Sequence, residues 1–197
     1  VVTYVNTSAE VKAESDVCCT SSNAVTVVES LGVERVLFLP DKFLAAYVAT
    51  QTKTEIIPWD GRCMVHEQFT VDELRAYRAQ FPGVTMVAHP ECPPEIIQEA
   101  DMVGSTAGMV AYIAKHKPKR VALITECSMG DNISSQFPET EFVRSCTLCP
   151  HMKKITLPKI ERSLQTMTYA VEVEPDIAVR ARRAVERMLE IGRGEGR

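Results

Sequence analysis

VVTYVN at residues 1–6 and MVAHPE at residues 86–91 open two stretches that run side by side without a gap, Val1–Asp41 against Met86–Glu126. Only seven positions are identical: Val2/Val87, Glu10/Glu95, Glu14/Glu99, Asp16/Asp101, Val25/Val110, Arg35/Arg120 and Val36/Val121. The physical pattern says more than the count. An apolar run ends in a polar tip, and a helix-like stretch leads to an Asp. A small hydroxyl cluster follows, TSSNAV against STAGMV, and then Arg-Val opens a second apolar run that ends in an acid, RVLFLPD against RVALITE. Tyr4 therefore stands where His89 stands, Asn6 where Glu91 stands, and Ser21 where Thr106 stands. Two copies of one α/β unit that carry different polar residues at the same places imply one site shared between repeats.

A third echo concerns thiols. Cys63 ends EIIPWDGRC, and Cys149, in CTLCP, lies a single position past the place where the shift that carries Val1 onto Met86 would put it. Equivalent strand–loop positions each offer a sulfur, the pattern of a metal site on a repeat axis. With two repeats present, such an axis is one member short.

The order of elements supports α/β layering. VVTYV, RVLFL, EIIPW, VTMVA and RVALI read as short buried strands bounded by turn signals. Helical patterns lie between them: SSNAVTVVESL, KFLAAYVATQ, TVDELRAYRAQF with a capping-box signature, PPEIIQEA and TAGMVAYIAKH. The expected fold is α/β, built of pseudo-symmetric three-layer αβα repeats with short parallel sheets. The division falls into residues 1–84 and residues 85–197, the second unit carrying an amphipathic C-terminal helix, DIAVRARRAVERMLEIG. GRGEGR at the end is expected to fray. The basic stretch KHKPKR and the basic residues of the tail helix read as solvated faces.

Composition narrows the function. The chain has 197 residues, 45% of them hydrophobic, and a net charge of −4, which leaves no electrostatic footprint for nucleic acid. No apolar run approaches the ~20 residues that span a bilayer, and no signal peptide is visible, so a cytoplasmic location is expected. A start at Val1 inside an apparent strand suggests that an N-terminal part is absent. Seven cysteines, an odd number at irregular spacings, do not resemble a secreted disulfide scaffold. Cys18, Cys19, Cys92 and Cys127 read as packing thiols.

Ligands of open α/β sheets gather at the carboxyl ends of strands. Tyr4, Asn6, Asp41, Cys63, His89, Glu91 and Glu126 all fall at such ends, and helices starting near Ser21 and Ser105 would present free N–H groups to phosphate or carboxylate. Glu91 beside His89 suits general base work, its carboxyl tuned toward neutral pH by a closed cavity. His116 and His151 read as loop or solvent residues.

YVNTSAEVKAESDVCCTSSNAV (4–25), GRCMVHEQF (61–69), VAHPEC (87–92), ADMVGSTAGM (100–109), ITE (124–126) and the CxxCPHMKKITL run (146–157), in this order, resemble the quinolinate synthase family across essentially the whole chain. The resemblance implies an enzyme of de novo NAD biosynthesis. That enzyme condenses iminoaspartate with dihydroxyacetone phosphate to quinolinate, a transferase-type reaction. It also implies three pseudo-symmetric αβα domains around a 4Fe–4S cluster that acts as a Lewis acid, held by one cysteine from each domain. Cys63 and Cys149 match two of the ligands, Cys146 matches a non-ligand position, and the third cysteine would come from an N-terminal domain this sequence lacks. Tyr4, Asn6, His66, His89 and Glu91 match substrate-site positions, with Glu91, His89 and Tyr4 as catalytic candidates. Ser21 and Thr106 match hydroxyls that hold carboxylate or phosphate. Implied partners are the two small substrates, the missing N-terminal segment and an aspartate-oxidising enzyme supplying iminoaspartate, with no nucleic acid and no membrane. Two other classes remain open: a structural zinc protein using Cys146 and Cys149, and a non-catalytic small-molecule-binding module.

Overall fold

A computed structural model describes residues 1–145 and 147–194. In the first lobe β1 (Val2–Tyr4), β2 (Val17–Cys19), β3 (Arg35–Leu39) and β4 (Glu55–Pro58) form a parallel sheet in the order β2-β1-β3-β4. In the second, β5 (Thr85–Ala88), β6 (Met102–Val103), β7 (Arg120–Ile124) and β8 (Glu141–Val143) form a parallel sheet in the order β6-β5-β7-β8. The registers coincide under the repeat. Val2 pairs with Val17 and Phe38, and its repeat equivalent Val87 pairs with Met102 and Leu123. Arg35 pairs with Glu55, and Arg120 pairs with Glu141. The slip of one position between the cysteines is therefore an insertion between the third and fourth strands. The five expected strands are all present; β2, β6 and β8, of two or three residues each, were not foreseen.

Helices connect the strands: α1 (Ala9–Ala13), α2 (Ala24–Ser30) and α3 (Lys42–Ala49) in the first lobe, and α5 (Pro94–Glu99), α6 (Thr106–His116) and α7 (Ser128–Ser134) in the second. α4 (Val71–Gln80) joins the lobes, and α8 (Leu157–Thr166) and α9 (Pro175–Gly194) close the chain. Thr70 caps α4 with the full reciprocal capping box, as its sequence predicts. α2 starts at Ala24 rather than near Ser21, because the Asn23 side chain turns back to accept the Thr20 N–H at 2.7 Å and leaves Ser21 in the turn. Residues 192–194, expected to fray, continue α9; residues 195–197 lie outside the described residues.

Strand side chains alternate between faces. Met86, Ala88, Ala122 and Ile124 pack with Leu74 and Ile96 on one side of the second sheet, while Val87, Val121 and Leu123 pack with Met109, Ile113 and Ile133 on the other. That sheet is thus the middle of three layers. The first lobe is built around Val2, Val17, Phe38, Leu44 and Val28, each worth roughly 1.5–3 kcal/mol when fully buried.

The identical positions now have physical reasons. Asp16 N–H bonds the Val1 carbonyl while its carboxylate meets the Val1 main-chain nitrogen at 2.5 Å; Asp101 does the same to Met86, at 2.9 and 2.7 Å. Arg35 pairs with Glu55 and Arg120 with Glu141 across the edge of each sheet. Glu14 receives Arg180 of α9, and Glu99 receives Arg75 of α4. This last equivalence resolves two helices that sit across the expected 84/85 division. α4 precedes residue 85 yet packs in the second core, and α9 ends the chain yet packs on α1, β2 and α2 with Ala184 and Met188 in the first core. α9 takes beside the first lobe the place that α4 takes beside the second. The tail helix is therefore not simply a solvated face: Arg180 and Arg187 bond main-chain carbonyls of Ala13 and Asp16. Among the described residues no helix is long and apolar enough to cross a membrane.

Candidate functional site

The carboxyl ends of both sheets converge on one group of polar side chains. Tyr4 closes β1, Ser21 follows β2, His89 and Glu91 follow β5, and Thr125 follows β7. Cys63 and His66 come from the loop after β4. That loop is tied to the start of α3: Lys42 N–H bonds the Gly61 carbonyl at 2.8 Å, and Asp41 accepts the Cys63 N–H at 2.6 Å. Cys63 then opens a turn that runs into a 3-10 helix, His66–Gln68.

His66 and His89 stack with ring centroids 4.6 Å apart and 6% and 4% of their surface exposed. Neither could stay so buried without partners. His66 Nε2 meets the Thr125 hydroxyl at 2.9 Å, and Nδ1 lies 3.1 Å from Glu91 Oε2. That last approach is too oblique for a full hydrogen bond, which leaves Nδ1 as a buried polar atom without a hydrogen-bond partner among the described residues. His89 Nδ1 accepts the Glu91 N–H at 3.4 Å, so its proton belongs on Nε2, where it faces Ser21 Oγ at 3.2 Å. The Tyr4 hydroxyl lies near Ser21 and the Glu91 carboxylate, which act on it in opposite directions. Two contacts thus cross between the lobes, His89 to Ser21 and His66 to Thr125.

Charge follows from these contacts. Burial would raise the Glu91 carboxyl, but the close polar contact with His66, the charge of both histidines and the Tyr4 hydrogen bond hold it below its usual range. The expected tuning of Glu91 toward neutral pH is therefore corrected in direction: its partners outweigh its burial. Burial alone would lower His66, yet close polar contacts and charge from Cys63 and Glu91 raise it to about 9. Burial drops His89 to about 4, with the Glu91 charge opposing. Burial and the Glu91 charge push the Tyr4 hydroxyl up to about 12, against the Ser21 hydrogen bond. Cys63 is half-buried; burial would raise its thiol, but His66 and neighbouring N–H groups hold it below the ordinary value.

Several expected residues take no part in these hydrogen bonds. Asn6 is exposed two residues beyond β1, and Thr106 is exposed at the first position of α6, whose cap is Ser105. Cys149 is half-buried, its N–H 3.3 Å from Glu126 Oε1. Cys146 lies outside the described residues. Cys18, Cys19 and Cys92 are buried packing thiols as expected, whereas Cys127 is only half-buried at the start of α7. His116 and His151 are exposed. Sequence reasoning missed Thr125; its signal was its place in ITE at the end of a strand, opposite Pro40 of the first repeat.

The donor set suits a metal. A sulfur of Cys63, a nitrogen of His66 and an oxygen of Glu91 all lie within 4.8 Å of one another. A thiol already inclined to ionise, beside a buried imidazole nitrogen without a hydrogen bond, is the chemistry that thiolate ligation needs.

Residues 1–190 match the family model described as Quinolinate synthetase A protein. The chain is 59% identical over 189 residues to quinolinate synthase 1 of Mesorhizobium japonicum, covering 96% of this chain and 58% of that protein. It is 59% identical over 191 residues to a quinolinate synthase of Agrobacterium fabrum, covering 97% of this chain and 55% of that protein. A quinolinate synthase of Caulobacter vibrioides is 51% identical over 195 residues, covering 97% of this chain and 53% of its own. The chain thus spans little more than half the length of the curated relatives it matches.

Proposed function

The chain belongs to the quinolinate synthetase A protein family, and on that premise we propose that it forms two of the three lobes of a quinolinate synthase. The reaction condenses iminoaspartate with dihydroxyacetone phosphate to quinolinate, with loss of phosphate and water. The observation that carries this reading is the group of polar side chains from both lobes beside Cys63: His66 stacked on His89, Ser21 on His89, and Glu91 beside His66.

Glu91 is the proposed base. It takes the proton from the carbon that forms the new bond and returns it to the hydroxyl that leaves as water, while His89 keeps its proton on Nε2 and directs it to Ser21. Tyr4 and Asn6 orient substrate oxygens. Ser21 binds carboxylate or phosphate through its hydroxyl, and Thr106, at the first turn of α6, through hydroxyl and main-chain N–H groups. His66, fixed by Thr125 and by its stack on His89, lines the side toward Cys63. Cys63 and Cys149 would hold a 4Fe–4S cluster together with a cysteine of the further lobe, and such a cluster supplies a Lewis-acidic iron to a substrate oxygen.

The full-length protein, reconstituted anaerobically with iron and sulfide, is expected to form quinolinate from dihydroxyacetone phosphate and iminoaspartate generated by an aspartate-oxidising enzyme. Chromatographic detection of the product measures it. Full iron and sulfide with no quinolinate, or zinc without sulfide in the purified protein, would overturn the reading.

A further inference from the structure

Two carboxylates that this chemistry does not use perform one task in both lobes. Asp41 follows β3, and Glu126, its repeat equivalent, follows β7. Asp41 Oδ1 accepts the Phe43 and Leu44 N–H groups at 2.7 and 3.0 Å, capping α3, while Oδ2 accepts the Cys63 N–H at 2.6 Å. Glu126 Oε2 accepts the Ser128 N–H at 2.8 Å at the start of α7, while Oε1 accepts the Ser128 hydroxyl and the Cys149 N–H, both at 3.3 Å. Each carboxylate bridges the next helix start to the backbone of the cysteine 22 or 23 residues on.

The cysteines themselves are held in the same local shape. The Cys63 carbonyl accepts the Glu67 N–H at 3.1 Å, and the Cys149 carbonyl accepts the Lys153 N–H at 3.1 Å. Each leads into a 3-10 turn, His66–Gln68 and Met152–Lys154, and the two turns are offset by the same spacing as the two cysteines. So carboxylate, cysteine and turn recur as one unit in each repeat.

Residue type follows from the geometry. Both oxygens of each carboxylate act as acceptors toward N–H groups. An amide side chain of the same shape would turn one of them into a donor facing a donor, a clash that burial makes costly. Asp41 is 5% exposed and the Glu126 side chain 11%, so water offers little relief. Main-chain contacts occupy both acids, which leaves neither aimed at a substrate.

We infer that Asp41 and Glu126 are paired positioning residues, each anchoring the backbone of one cysteine ligand and so the direction of its sulfur. This rests on the assignment of Cys63 and Cys149 as cluster ligands. The pair is unequal. Asp41 is the more buried and holds the shorter bond, whereas Glu126 shares its charge with Lys153, 3.9 Å away. The first lobe's anchor therefore matters more.

The test uses the full-length protein, reconstituted anaerobically, with Asp41→Asn and Glu126→Gln. Iron release to a chelator is followed in time, beside iron and sulfide content and KM for dihydroxyacetone phosphate. Partners that orient metal ligands typically change metal retention roughly 10–100-fold when removed, and faster release in that range is expected, larger for Asp41→Asn. KM per intact cluster should not move. Asp41→Ser keeps a cap for α3 but cannot reach Cys63, and is expected to release iron as fast as Asp41→Asn while retaining more stability. Wild-type release from Asp41→Ser, or a raised KM with wild-type release from either amide variant, overturns the inference. Full iron retention in Cys63→Ser and Cys149→Ser would instead overturn the ligand assignment beneath it.

Discussion

The two lobes share registers, strand order and anchoring acids, yet use their polar residues differently. At the end of β5 in the second lobe, His89 and Glu91 are almost wholly buried. Their counterparts after β1 are Tyr4, half-buried, and Asn6, exposed. At the next position the weights reverse: Ser21 meets the histidine of the other lobe, while its counterpart Thr106 lies open at a helix start. Duplication thus supplied two equivalent rims, and each rim then took one part of a single site. Each lobe contributes one of the stacked histidines and a hydroxyl for the other's ring: Ser21 meets His89, and Thr125 meets His66. A carboxylate can remain ionised in such a place only because neighbours from both lobes offset its burial.

The largest break in this comparison comes from Glu91→Gln in the full-length reconstituted protein. It keeps the shape and removes the proposed base, so turnover should fall roughly 10²–10⁴-fold at unchanged iron content. Asn6→Ala, the same repeat position in the first lobe, should act mainly on KM. Equal losses of turnover in both variants would erase the distinction between the rims.

The stacked histidines sharpen it next. In the metal-free protein, NMR titration is expected to find His66 charged up to about pH 9 and His89 neutral down to about pH 4. For His66, a folded value above the unfolded 6.5 means stability fully present below pH 6.5 and lost as pH rises through 9. For His89, a folded value below 6.5 means stability present above pH 6.5 and lost as pH falls through 4. The two contributions overlap around pH 6.5 and decline on both sides. Thr125→Val removes the second lobe's hold on His66 Nε2 and should lower its titration point, leaving His89 little changed. Parallel titration of both rings near 6.5 would refute the picture.

A smaller effect separates the helix ends. Gly32 after α2 and Lys117 after α6 occupy the same repeat position, and both take left-handed backbone, φ 60° and 44°. A Cβ on Gly32 would meet nothing within 4 Å, so its cost is conformational alone. Gly32→Ala should destabilise by about 1–2 kcal/mol, while Lys117→Gly should stabilise by at most about 1 kcal/mol. Denaturant unfolding reads both, and a destabilised Lys117→Gly would mean that the lysine stem contributes more than its backbone costs.

How far the amino acids alone reach can be seen in particular residues. The repeat, five of the eight strands and the equivalence of Tyr4 with His89 were legible because buried parallel strands need apolar runs and strand ends need polar tips. The strands β2, β6 and β8 were not legible, since their apolar runs stop at two or three residues, whereas VVTYV around β1 extends over five. The site was legible as a set of strand ends, but the stack of His66 on His89 and the hold of Thr125 on His66 were not. Neither was the direction of the Glu91 shift, because it depends on His66 and Tyr4 lying within reach, and both are remote from Glu91 in the chain. Local chemistry determined which residues stand at the ends of strands. Only tertiary structure decided which of them meet, that Asp41 and Glu126 turn to the main chain, and that a helix from the end of the chain completes the lobe at its beginning. Contacts between distant segments form where burial outweighs the entropy of ordering them, and that balance is struck by the whole fold.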